Sequence, residues 1–174
     1  MKGNAILAKV RHYVPHNTII NMYHAHIQPH IDYGLNIWGH SCPSQLDTVR
    51  KQQKKSLRIM NFKRKDHPTR ELFISSNILP LDDCIALSNV KLIWRIRHTD
   101  LDTDLTRILR PRVNSLNYVL PYRRTDMTQR CTSYHGVKTW NILPDNIKES
   151  ASLNMFKHRC KDHLIKKLEH FNSN

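Results

Sequence analysis

Ser44-Gln45-Leu46-Asp47-Thr48-Val49-Arg50-Lys51-Gln52-Gln53-Lys54-Lys55-Ser56-Leu57-Arg58-Ile59-Met60 is the stretch on which the fold turns. At the roughly 100° per residue of an α-helix, Leu46, Val49, Leu57 and Met60 fall on one narrow stripe. Gln53 is the only polar residue on that stripe. Pro43 precedes the segment, and Ser44 with Asp47 reads as a capping-box-like start. Arg50, Lys51, Lys54, Lys55 and Arg58 fill the neighbouring arc, with Asp47 the one acid among them. The like-charge pairs Arg50/Lys54, Lys51/Lys55 and Lys54/Arg58 each cost a helix roughly 0.2–0.5 kcal/mol. A helix that carries all three is compensated by its packing or faces an anion. Lys63-Arg64-Lys65 extends the patch beyond the helix end.

Outward from this segment the signals stay helical. On the N-terminal side, Asn4 to Arg11 reads as a short helix closed by Pro15. Asn17 or Thr18 then caps a segment in which Ile19, Ile20, Tyr23 and Ile27 recur at helical spacing. Pro29 predicts a break near Gln28, because proline lacks a donor and disfavours helix at the preceding residue. Gly39 reads as a helix stop after Trp38. On the C-terminal side, Thr69 caps a short helix carrying Leu72 and Phe73. From Asp82 or Asp83 to His98, apolar residues cover most of the circumference, which marks the most buried helix. The stretch 99–130 reads as irregular, with a short extended piece around Tyr118–Leu120. Ser133 to Leu143 gives a helical turn stopped at Pro144, and Ser152 opens an amphipathic helix along Leu153, Phe156, Cys160, Leu164 and Leu168. The expectation is a mainly α chain: helical over 1–100, an irregular connection over 101–130, and a C-terminal helical element over 131–174.

The 174 residues suffice to bury a core, and only 4 glycines and 8 prolines argue against a linker. Lys and Arg number 28 against 14 Asp and Glu, a net charge of +14 with 12 histidines in reserve. Such a surface attracts polyanions, of which nucleic acid is the commonest. No apolar run approaches the ~18 residues that span a bilayer, so no membrane partner is expected. The polar, basic start at Met1-Lys2-Gly3-Asn4 does not read as a secretory signal. Cys42, Cys84, Cys131 and Cys160 lie far apart, as in an intracellular protein (nuclear or cytoplasmic) with reduced, packed thiols.

The residues give no catalytic constellation. Asp82-Asp83 is the one adjacent carboxylate pair, and it stands directly before a helical run, where acids complement the helix dipole. The histidine pairs His12/His16 and His26/His30 are interrupted by Pro15 and Pro29. His158-x-Cys160-x-x-His163 places its first two ligands on different helix faces, and no closely spaced cysteine pair exists for zinc. No metal or cofactor is expected, and no glycine-rich phosphate loop is present. The chain reads as a binder, not an enzyme on its own. Phosphate contacts are assigned to Arg50, Lys51, Lys54, Lys55, Arg58, Lys63, Arg64 and Lys65, while Tyr33, Trp38, Trp94 and Trp140 read mostly as core.

Three stretches together resemble one family. The first is Tyr23-His24-Ala25-His26-Ile27-Gln28-Pro29-His30-Ile31-Asp32-Tyr33-Gly34, followed by Trp38-Gly39. The second is Gln53-Lys54-Lys55-Ser56-Leu57-Arg58-Ile59, with His67-Pro68-Thr69 and Leu79-Pro80-Leu81 after it. The third runs from Tyr134 through Trp140-Asn141-Ile142-Leu143-Pro144. Their order and spacing resemble the post-palm region of a non-LTR (LINE-type, jockey-like) retrotransposon reverse transcriptase. The resemblance implies a helical, thumb-like bundle that grips an RNA template and growing DNA strand behind the palm. RNA, DNA or RNA–DNA hybrid, and the palm and fingers of a parent polyprotein, are then the expected partners. The palm aspartates, the fingers, the endonuclease and a terminal cysteine–histidine knuckle are absent from these residues. Two other readings of the same sequence are a stand-alone basic protein-interaction module and a decayed retroelement remnant.

Overall fold

The structure, a computed structural model, describes residues 2–99 and 104–170. Residues 101–103 of the expected connection and 171–174 of the expected C-terminal element lie outside the described residues. The fold is mainly helical, with no strand among the described residues. Its two compact units do not follow the sequential segments 1–100, 101–130 and 131–174. One comprises residues 1–35, 42–82 and 165–174, the other 36–41 and 83–164.

In the first unit, α1 (Lys2–Val10) and α2 (His16–His26) pack on each other and on α5 (Pro43–Met60). Between them lie α3 (Gln28–Asp32) and the first residue of α4 (Leu35–Trp38). Pro29 opens α3 at its first turn, where a missing N–H costs nothing, so the break falls at Ile27. Gly34 turns the chain with φ 63°, a region open to glycine. α2 begins at His16 behind Pro15, one turn-half earlier than an Asn17 or Thr18 cap requires, and no side chain caps it. Nor does a capping box form on α5. Cys42 occupies the cap position, Ser44 sits inside the helix, and Asp47 bonds Arg50 instead.

Gln53, the polar residue on the stripe of α5, is buried and satisfied. Its Nε2 donates to the Leu79 carbonyl at 2.9 Å and to the Tyr23 hydroxyl at 3.2 Å, tying α5 to α2 and to the segment before α7. Asn4 plays the matching part for α1. Its amide donates to Gln52 Oε1 at 3.1 Å, and it accepts from Ser56 at 2.6 Å. α6 (Arg70–Ser75) starts at Thr69 without a side-chain cap bond, and buries Leu72 and Phe73. The Arg70 guanidinium donates to the Leu168 carbonyl near the end of α12 (Leu153–His170).

The second unit is built on α7 (Leu81–His98) from Asp83 onward, α10 (Thr132–Ile142) and α12 up to Leu164. Val90, Ile93, Trp94, Val137, Trp140 and Phe156 form the centre of its core. Gly136 lets α10 approach α7: a Cβ there would stand 3.1 Å from Ile93 Cδ1. The stretch expected to be irregular holds two short helices, α8 (Asp104–Ile108) and α9 (Asp126–Gln129). The expected extended piece is a single antiparallel bridge between Pro111 and Tyr118. Asn141 stands in for a further strand beside it. Its Oδ1 accepts from the Tyr118 N–H at 3.0 Å and its Nδ2 donates to the Tyr118 carbonyl at 2.9 Å. Trp140 Nε1 donates to the Leu116 carbonyl at 2.8 Å, and buried Lys148 donates to Asn117 and Asp145, each at 2.8 Å. α11 (Asp145–Lys148) starts directly after Pro144. Ser152 caps α12, accepting from the Met155 N–H at 3.2 Å.

Two stability predictions follow from this packing. Gln53→Ala leaves the Tyr23 hydroxyl and the Leu79 carbonyl without this partner, and is expected to lower unfolding free energy by about 1–3 kcal/mol in urea titrations. The second concerns His40 and His135, whose rings stack at 5.5 Å in the second unit. Burial lowers both pKa values below the ordinary 6.5. For His135, the neighbouring His40 and Lys138 charges push the same way, while Asp126 and, for His40, the Asn89 hydrogen bond oppose the shift. The folded chain therefore binds these protons less readily than the unfolded chain. The pair's contribution is complete above pH 6.5 and is lost as pH falls below it. Urea midpoints are expected to fall with acidification, and a His40→Asn/His135→Gln double variant to fall less steeply.

Candidate nucleic-acid interface

The exposed arc of α5 and the turn after it form one concave surface of about 670 Å³, lined by Lys51, Gln52, Lys54, Lys55, Arg58, Ile59, Lys63 and Lys65. Six of these eight residues are cationic and none is acidic. Helical geometry explains how the first four gather, since positions three and four apart share a face. Lys63 and Lys65 join them because the chain reverses directly after Met60. The Arg58 Nε donates to the His67 carbonyl at 2.9 Å, which fixes the guanidinium stem against the returning segment. Among the described residues, Lys51, Lys54, Lys55, Lys63 and Lys65 have no ion-pair partner.

Two residues assigned to this patch from the sequence stand elsewhere. Arg50 is held by two carboxylates. It meets Asp47 at 2.7 Å and grips Asp82 through both oxygens, at 2.6 Å and 3.0 Å. The Asp82 hydrogen bond, opposed by partial burial and supported by Asp47, raises the guanidinium pKa well above its ordinary value. Arg50 lines a separate, smaller cavity of about 240 Å³ with Arg70, Phe73 and Leu168. It is a structural tie, and its neutralisation relieves the like-charge strain expected against Lys54. Arg64 is 92% exposed and faces Asp66 at 3.9 Å, outside the groove lining. Asp82, read from sequence as a helix-start residue, has that position in the first turn of α7 and the Arg50 contact besides.

The motif residues take structural positions. Tyr23 and Trp140 are fully buried, and Gly39 is buried directly after α4. Pro29 opens α3, Leu143 closes α10 in extended conformation, and Pro144 precedes α11. Trp94 is buried and Trp38 half-buried. Tyr33 corrects the core reading, being 85% exposed at the end of α3.

One residue the sequence reading passed over stands at the end of the groove. α5 closes with the Lys63 N–H bonded to the Arg58 carbonyl at 2.9 Å and the Phe62 N–H to Ile59 at 3.4 Å. This is the helix ending that normally carries glycine in the left-handed position. Here that position holds Phe62, at φ 54°. A left-handed backbone costs an L-residue about 1–2 kcal/mol. The visible sequence signal was a helix end followed by Asn61-Phe62-Lys63 with no glycine.

Among the described residues no three His, Cys, Asp or Glu side chains come together to hold a metal ion, and no helix is long and apolar enough to cross a membrane. Cys160 is buried and its thiol is pushed up to about 12 by desolvation, a packing group and not a nucleophile. No protein-family model, characterised protein or solved structure matches the chain.

Proposed function

We propose that this chain is a nucleic-acid-binding C-terminal segment of a retrotransposon RNA-directed DNA polymerase, gripping template–primer duplex without an active site of its own. The observation that carries the binding is the groove on α5, where six cations converge with no acid among the lining residues. Such a surface neutralises successive phosphates and reads no base sequence. The retrotransposon origin rests on the three motif stretches around Tyr23–Gly39, Gln53–Ile59 and Trp140–Pro144. The Asp82 contact with Arg50 supports the non-catalytic reading, since the one adjacent carboxylate pair has a carboxylate already committed.

Binding is expected to be salt-dependent on a blunt RNA–DNA hybrid followed by fluorescence anisotropy. Replacing Lys51, Lys54, Lys55 and Arg58 with Ala should weaken it at least roughly tenfold and reduce the salt slope by roughly 3–4. A charge-matched variant with Arg124, Lys157, Lys166 and Lys167 replaced by Ala, all exposed and outside the groove, should retain most of the affinity. Arg50→Ala should also bind nearly as well as wild type, because Arg50 stands outside the groove. Equal losses in the two quadruple variants would mean that bulk charge, not the groove, does the binding. Salt-insensitive association with a protein partner would favour an interaction module. The polymerase origin has its own check: transcript sequencing should read in frame upstream of the Met1 codon into a palm aspartate pair. An in-frame stop there would remove it.

A further inference from the structure

From the geometry at the end of α5 we infer that Phe62 is a stacking platform for an unpaired nucleobase, so that the groove takes a single strand or a single-strand–duplex junction. The inference rests on the groove reading above and adds the class of base contact. Three observations place an aromatic face where a strand leaving the cations would arrive.

The first is position. Phe62 stands between two groove-lining residues in the chain, Ile59 and Lys63. The second is conformation. Phe62 occupies the left-handed position of the helix ending, where glycine would be the unstrained choice. A ring held in a strained backbone and yet 53% exposed does not serve the core. The third is the support behind the ring. The Arg11 guanidinium lies over it, 4.9 Å from its centroid, and the His12 ring meets it edge-on at 5.2 Å. Arg11 is itself anchored, donating to the Ile59 carbonyl at 3.3 Å and to His12 at 3.2 Å.

The ring is thus fixed from one side by a cation while much of its surface stays open. A base plane would cover that open surface, completing an Arg–Phe–base stack, and the phosphates on either side would fall to Lys63 and the groove lysines. Every base has a π face, so the contact is tolerant of sequence. A blunt duplex offers no such face along its length, because its bases are stacked on one another. The inference therefore separates two ligands that the cations alone treat alike.

The test uses the full chain with two labelled probes, a twelve-nucleotide oligo(dT) and a blunt RNA–DNA hybrid, in fluorescence anisotropy. Phe62→Ala should weaken oligo(dT) binding by roughly 5- to 100-fold and leave hybrid affinity within about twofold. Retained hybrid binding shows that this variant is folded. Phe62→Tyr should keep wild-type affinity for both probes. In Phe62→Trp, the emission added over wild type should be quenched as oligo(dT) saturates the protein. Oligo(dT) affinity unchanged by Phe62→Ala, or unquenched emission at saturation, would overturn the stack. Equal losses on both probes would also overturn it, making Phe62 a support for the groove's shape. If instead the Lys51/Lys54/Lys55/Arg58 quadruple variant binds both probes like wild type, the groove reading falls. The quenching in Phe62→Trp then still decides the ring–base contact by itself.

Discussion

Five cations on one arc of an eighteen-residue helix repel one another, and α5 keeps its shape because that repulsion is relieved at one end and outweighed along its length. At the N-terminal end the relief is ionic: Asp47 and Asp82 hold Arg50 out of the electrostatic balance with Lys54. Along the neighbouring stripe it is apolar, with Leu46, Leu57 and Met60 buried. Gln53 sits on that stripe without an unmet desolvation cost, since its amide donates to the Leu79 carbonyl and the Tyr23 hydroxyl. With these ties made, the remaining lysines can stay unpaired and crowded. A concave, cationic surface of this kind concentrates its field outward and favours a polyanion over any single acidic residue.

The second unit shows how a short sequence motif earns its place by packing. Trp140 and Asn141 sit side by side on α10, yet they fasten different parts of one loop. The indole holds the Leu116 carbonyl, and the amide pairs both backbone groups of Tyr118. Few side chains other than asparagine can donate and accept at once at this reach. Leu143 and Pro144 then stop α10 and launch α11, whose Lys148 secures Asn117 of the same loop. The loop's antiparallel bridge is closed by the Arg112 N–H on the Asn117 carbonyl and the Val119 N–H on the Arg110 carbonyl. It is thereby reinforced by side chains from α10 and α11, with Arg97 of α7 also donating to the Leu116 carbonyl.

Phe62 is the place where local preference and tertiary arrangement disagree. Helix endings favour glycine there because it alone enters the left-handed region without a Cβ conflict. The chain instead accepts a modest conformational cost, supported by Arg11 and His12, and gains an exposed ring beside the cations. Proteins tend to keep such costs where a surface meets a partner.

The helices were legible in the sequence because apolar spacing on α5, α7 and α12 is a property of neighbouring residues alone. The same holds for the basic arc, whose members Lys51, Lys54, Lys55 and Arg58 share a face by periodicity. Caps were less legible: Ser152 holds its helix, but Ser44 and Thr18 do not, because a capping bond depends on how the preceding chain arrives. What only the tertiary structure decided was which charges remain available. Arg50 and Lys54 look equivalent along the chain, and a carboxylate thirty-two residues away separates them. Tyr33 and Trp140 likewise look alike as motif aromatics, yet one is exposed and the other buried. Periodicity assigns a side chain to a face of its own helix. Whether that face meets an acid, a core or open solvent is set by contacts distant in sequence, and no local pattern encodes them.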